Sequence, residues 1–141
     1  MNLPTIAVHN RQRMIGVDRA SLARFAVRAL PLCLAEGGNG LSALKEVDVV
    51  LVSDHKISKL HRRFMQIAGP TDVITFQHGE IFISVETARR QAAAYGTSLE
   101  HELRTYLVHG LLHLHGFDDR APVARRRMQR VQERIVVRAS S

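Results

Sequence analysis

Little in this chain suits it to an oxidising compartment or to a membrane. It has one cysteine, Cys33, so no internal disulfide can form. No segment reaches the roughly 18 apolar residues that a bilayer-spanning helix needs. The opening stretch MNLPTIAVHNRQRM also lacks the apolar run of a secretory signal. The expected location is therefore the cytoplasm, with no membrane partner. Tryptophan is absent and aromatic residues make up 5% of the chain, which leaves little surface for stacking long runs of bases. No repeat, low-complexity tract or linker interrupts the sequence, so a single domain over residues 1–141 is expected.

Acidic residues are outnumbered. Thirteen Asp and Glu against 20 Lys and Arg give a formal net charge of +7. Such an excess points to a polyanion, RNA or DNA ahead of a membrane surface. Arginine supplies most of it, and the planar guanidinium suits bidentate phosphate binding. A compositional bias without any nucleic-acid partner explains the charge equally well. Hydrophobic residues at 45% are ordinary for a globular protein, which excludes disorder of the whole chain.

The pattern predicts alternating elements. LPTIAVH reads as a strand. From Asp18 to about Glu36, Leu22, Phe25, Ala26, Ala29 and Leu30 recur at helical spacing, with Asp18 as cap, Pro31 kinking or shortening the last turn, and Gly37-Gly38 ending it. EVDVVLVSD is the strongest strand, and Asp54 is a candidate cap for HKISKLHRRFM. DVITFQHGEIFISV predicts a hairpin turning at His78-Gly79. Ser84 and Ser98 are positioned to open two further helices, the first ending at Gly96 and the second at Gly116. The second is too apolar for a surface helix and is expected to be central. A last helix runs from about Pro122 to Arg138. The expected fold is α+β: one layered domain, a mixed sheet of about four strands packed with about five helices.

The central helix carries the chemistry. In HGLLHLHGFDD, His109 and His113 are four apart and share a face, with Cβ atoms roughly 6 Å apart. Gly116 can take a left-handed turn, which lets Asp119 present a carboxylate to the same point. Two histidines and a carboxylate suit one zinc ion, with a fourth position left for water. The layout matches that of the metzincin proteases, but the general-base glutamate expected after the first histidine is Gly110. Peptide hydrolysis by that route is disfavoured, and Gly110 instead leaves room for a substrate backbone or a neighbouring strand. Other readings stay open: His109 and His113 as core histidines bonded to carbonyls, Asp119 as a helix cap, Asp118 as the ligand. His115 is expected at the surface or behind the ligands. His9, His55, His61, His78 and His101 have no spacing argument.

This stretch resembles the YbeY family of bacterial single-strand-specific metallo-endoribonucleases, whose signature is H-G-x-L-H-L-x-G-(Y/F)-D-H. HGLLHLHGFDD fits every fixed position but the last, and PTDVITF, Pro70 to Phe76, matches a second family landmark. The resemblance implies that His109 and His113 are zinc ligands and that the family's third histidine falls on Asp119. It also places Met65, in LHRRFM, where many members carry a functional arginine. Arg62 or Arg63 can replace that charge, though both also suit a solvated helix face. Thr71 and Asp72 are candidate substrate contacts, or simply fix the turn after Pro70. The implied function is a zinc-dependent endoribonuclease of ribosomal RNA, acting at the 3′ end of the small-subunit rRNA and in ribosome quality control. Its partners would be single-stranded RNA, rRNA and the ribosome. No side chain stands out as a general base. Arg126, Arg130, Arg134 and Arg138 form a stripe on the last helix that suits phosphates or plain solvent. The rival functions are a zinc hydrolase of another substrate, such as a peptide, and an RNA- or ribosome-binding protein with a structural metal site.

Overall fold

The computed structural model describes residues 3–141. Its elements run β1 (Thr5–Asn10), α1 (Arg19–Leu34), β2 (Glu46–Val52), α2 (Asp54–Met65), β3 (Val73–Phe76), β4 (Glu80–Ser84), α3 (Val85–Tyr95), α4 (Leu99–Leu114) and α5 (Pro122–Ser140), with a short 3-10 turn at Leu41–Ala43. The four strands form one mixed sheet in the order β1-β2-β4-β3. β1, β2 and β4 are parallel, and the hairpin sets β3 antiparallel at the edge. The α+β expectation and the number of elements hold.

Strand alternation divides the core. Val47, Val49 and Leu51 of β2 and Ile81 and Ile83 of β4 face one way, into a cluster shared with α1, α3, α4 and α5. Ile74 and Val52 belong to a smaller cluster under Ile57 of α2, with Val50, Leu60, Phe76 and Phe82 packed against it. Helix α4 lies inside the larger layer, and Leu103, Leu107, Val108, Leu111, Leu112 and Leu114 are all at most 2% exposed. It can come this close to the sheet because of Gly110. A Cβ built there would lie 2.6 Å from Cγ2 of Ile81. Of the two uses foreseen for that space, the structure shows the neighbouring strand.

Two local expectations need correction. Ser53, not Asp54, caps α2: its extended backbone lets the hydroxyl accept from the N–H of Lys56 at 3.1 Å. Asp54, the first helical residue, instead accepts from Ser84 Oγ at 2.6 Å, Thr87 Oγ1 at 2.7 Å and Arg90 at 2.7 Å, tying α2 to the start of α3. Pro31 does not shorten α1, which continues to Leu34. The carbonyl that loses its partner there belongs to exposed Val27, where water can satisfy it.

Two outcomes follow from these contacts. Gly110→Ala gains about 1 kcal/mol of helix propensity but forces a branched side chain aside, which costs about 1–3 kcal/mol. Urea unfolding is expected to show a net loss that shrinks in the Ile81→Ala background, where the clashing atoms are gone; equal losses in both backgrounds would contradict the contact. At Asp54, burial works to raise the carboxyl pKa, but hydrogen bonds from Arg90, Ser84 and Thr87 outweigh it and hold the group below its ordinary 3.8. Its stabilisation is therefore complete above pH 3.8 and is lost as pH falls through the depressed value. Asp54→Asn should be less stable by about 1–2 kcal/mol at pH 7, and the gap should close in acid.

Candidate metal centre

Ser98 caps α4 by accepting from the N–H of His101 at 3.0 Å, and from there the helix phase is set by its buried leucines. That phase leaves His109 and His113 half-buried, one turn apart, at the open end of the cleft beside β3. After Leu114 the chain reverses at Gly116, whose φ of +103° is left-handed. The Phe117 N–H returns to the Leu112 carbonyl at 2.9 Å, and the Phe117 ring packs into the core beneath the Arg127 guanidinium. Asp119 is thereby brought back over the helix end. Asp118 turns away and binds Arg120, so of the two candidate carboxylates only Asp119 converges with the histidines.

The three side chains form a tight triangle. Nε2 of His109 and Nε2 of His113 are 3.0 Å apart, and Oδ2 of Asp119 lies 3.6 Å and 3.5 Å from them. Ligands about 2.0–2.1 Å from a tetrahedral zinc would be about 3.3–3.4 Å from one another, so the triangle has the right size. Nδ1 of His109 donates to Oε1 of Gln132 at 2.7 Å, and the Phe117 backbone carbonyl lies on the His113 side. The two Nε2 atoms face the same point, at hydrogen-bonding distance from each other. Burial first, and then the neighbouring His109, hold the His113 imidazole below its ordinary 6.5 against the pull of Asp119, which favours the neutral, ligating form. The donor set fits one metal ion.

The cleft in front of this triangle has a volume of 340 Å³ and is walled by Met65 and by the edge segment 71–75. Thr71 and Asp72 line it. Asp72 also braces its own turn by accepting from the Val73 N–H at 2.8 Å, the structural role foreseen for it. Arg62 and Arg63 sit exposed on the last turn of α2 and are not in the wall, whereas the neutral Met65 is. Sequence reasoning missed Gln132. It lies on α5, 23 residues from its partner His109, and the only trace was a polar residue interrupting the Met128, Val131, Ile135 face. His115 was misplaced. It is 1% exposed, hydrogen-bonded to the Glu36 carbonyl at 3.0 Å and the Leu41 N–H at 3.4 Å, and it pins the loop after α1 instead of backing the ligands.

A layered α+β domain with a His-His-Asp triangle at the end of its buried helix has a donor set that fits a metal-dependent hydrolase. The chain itself belongs to the YbeY family: the family described as Endoribonuclease YbeY matches residues 7–140. Among its relatives is the Endoribonuclease YbeY of Pelotomaculum thermopropionicum, 36% identical over 94% of this chain and 95% of that one. That of Thermus thermophilus is 39% identical over 77% and 85%, and that of Heliobacterium modesticaldum 38% over 74% and 75%. The solution structure of TM1509 from Thermotoga maritima superposes with a TM-score of 0.65 over 96% of this chain and 89% of that one; at 24% identity it bears on the fold alone. The family membership makes the chain a nuclease.

Replacing Gln132 by Ala removes the acceptor that orients His109, and such outer contacts are worth about 10–100-fold in metal affinity. Competition with a chromophoric chelator should show a zinc affinity loss of that order at an unchanged unfolding midpoint. An unchanged affinity would mean that Gln132 does not orient the ring.

Proposed function

We propose that this protein is a zinc-dependent, single-strand-specific endoribonuclease of the cytoplasm, acting on ribosomal RNA at the 3′ end of the small-subunit species and in ribosome quality control. The observation that carries the metal dependence is the convergence of two imidazole nitrogens and a carboxylate oxygen on one point. His109, His113 and Asp119 hold a single zinc ion. When bound, zinc is a Lewis acid that polarises a phosphoryl oxygen and acidifies water. The rest is done by the chain. Gln132 and the Phe117 carbonyl fix the imidazole rings. Thr71 and Asp72 line the path of the substrate on the β3 side, with the Thr71 hydroxyl donating to the Asp72 carboxylate at 3.4 Å. Arg62 and Arg63, exposed at the end of α2, and the arginines of α5 supply positive charge for the incoming backbone, consistent with a net charge of +7. The absence of glutamate after His109 argues against a peptide substrate. Among the described residues no helix is long and apolar enough to cross a membrane.

Met65 on the cleft wall favours a second reading, an RNA- or ribosome-binding protein whose metal is structural. One experiment separates them. Zinc-loaded protein is incubated with labelled single-stranded and duplex RNA beside an identically purified His113→Ala variant. The endoribonuclease reading expects cleavage of the single strand alone, reduced at least about 100-fold in the variant together with zinc affinity, while circular dichroism is unchanged. RNA binding without cleavage by wild type would establish the second reading, and equal cleavage by both proteins would reveal a contaminant.

A further inference from the structure

A second cleft, of 440 Å³, opens between α3, α4 and α5 immediately beside the metal centre. Asp72 lines both cavities, and Gln132, which holds His109, lines this one. Along α4 its wall is formed by Thr105, one turn before His109, and by His101, two turns before. At about 1.5 Å of rise per residue, these stand about 6 and 12 Å from the ligand. A chain reaching the metal can therefore enter both clefts.

The lining chemistry is unlike that of a phosphate site. No lysine or arginine belongs to it, and its charged groups are the carboxylates of Asp72, Glu102 and Glu133. Phosphodiester oxygens would be repelled there, in a protein whose surface is otherwise strongly basic. Groups rich in N–H donors would be held. Carboxylates do not make a site by themselves, but Tyr106 adds an independent observation. Its side chain lines the cleft and is 7% exposed, and among the described residues its hydroxyl has no hydrogen-bond partner. Burial, and then the charges of Asp72 and Glu102, push that hydroxyl well above the ordinary phenol range, so it remains a donor. The side chain is thus more than nine-tenths buried while its unpartnered hydroxyl is reached from the cleft, which makes it a place for an external acceptor. At the mouth, the Tyr95 ring is 72% exposed and presents a face for stacking.

We propose that this cleft is a nucleobase subsite, taking one unstacked base of the single-stranded RNA next to the metal and preferring bases whose Watson–Crick edge sets an amino group beside a ring-nitrogen acceptor, cytosine or adenine, over uracil. The inference rests on the reading that the substrate is RNA. The amino group donates to the carboxylates, the adjacent ring nitrogen accepts from Tyr106, and the ring stacks on Tyr95. Uracil presents the O4 carbonyl oxygen to the carboxylates in place of the amino group, and its ring N3–H is a donor that cannot accept from Tyr106. A base already paired in a duplex cannot enter, so the same cleft contributes to single-strand selectivity.

The test is a binding measurement with the full chain. Fluorescence anisotropy with labelled nine-nucleotide oligo(C), oligo(A) and oligo(U) is expected to show roughly tenfold tighter binding of the first two, the size of one or two hydrogen bonds. Tyr106→Phe keeps the buried ring and Glu133→Gln changes an exposed residue, so both should fold, as their unfolding midpoints will show. In each variant the affinity ratio should move toward one. Equal wild-type affinities, a ratio that survives both substitutions, or no measurable binding of any oligonucleotide would overturn the subsite. Because the readout is binding, a wild type that shows the preference yet cleaves nothing would sink the endoribonuclease reading and leave the subsite standing. Cleavage without base preference would do the reverse.

Discussion

Two imidazole nitrogens 3.0 Å apart, each within 3.6 Å of the same aspartate oxygen, are the contact around which the rest of the structure is arranged. Much of the fold can be read as the means of holding them there. One ring is fixed by a side chain from α5 and the other by the backbone that returns after Gly116, so the pair cannot relax by rotating a ring without breaking a hydrogen bond. The helix that carries both is packed nearly all round, which removes the alternative of moving the backbone. Rigidity of this kind is what lets a small donor set favour one ion and one geometry.

That rigidity depends on a close approach. Gly110 brings α4 against Ile81 of β4, and β4 is hydrogen-bonded to β3, the edge strand whose preceding segment walls the cleft. The spacing between the His-His-Asp triangle and Thr71 or Asp72 therefore depends on the packing of α4 against β4 and β3 and on the pairing of those two strands. A residue with no chemistry of its own governs the width of the site. The same glycine stands where a zinc protease would carry its general base, so a single position expresses both the packing and the departure from peptide chemistry.

The sequence was most informative where the relevant spacing was local. The four-residue step from His109 to His113, the left-handed Gly116 and the serine caps of α3 and α4 each depend on neighbours within one or two turns, and each is present as expected. What failed involved choices between adjacent residues or contacts distant in sequence. Ser53 and Asp54 are both competent caps, and only the position of α3 decides that Asp54 is needed elsewhere. His115 stands two residues after His113, yet the loop after α1 claims it. Gln132 and the second cleft arise from the packing of α5 on α4, which helical periodicity places on a face without saying what lies opposite.

The charge distribution separates the tasks that an RNA-cutting site has to perform. On the proposed reading, a dication balanced by Asp119 and by Asp72 on the same wall is left with little net charge. Met65 on the cleft wall adds none, so the centre is a weak trap for phosphate by itself. The positive charge lies on the surface instead, in the exposed arginines of α5 and at the end of α2, although Arg134 is already paired with Glu36. Affinity would then come from many screened phosphate contacts and fall steeply with salt, while register on the strand would come from the carboxylate-lined cleft. Such a division suits a nuclease that must hold many sequences yet cut few. The surface arginines would bring single strands in without regard to sequence, and the cleft would determine which phosphodiester comes to rest before His109, His113 and Asp119.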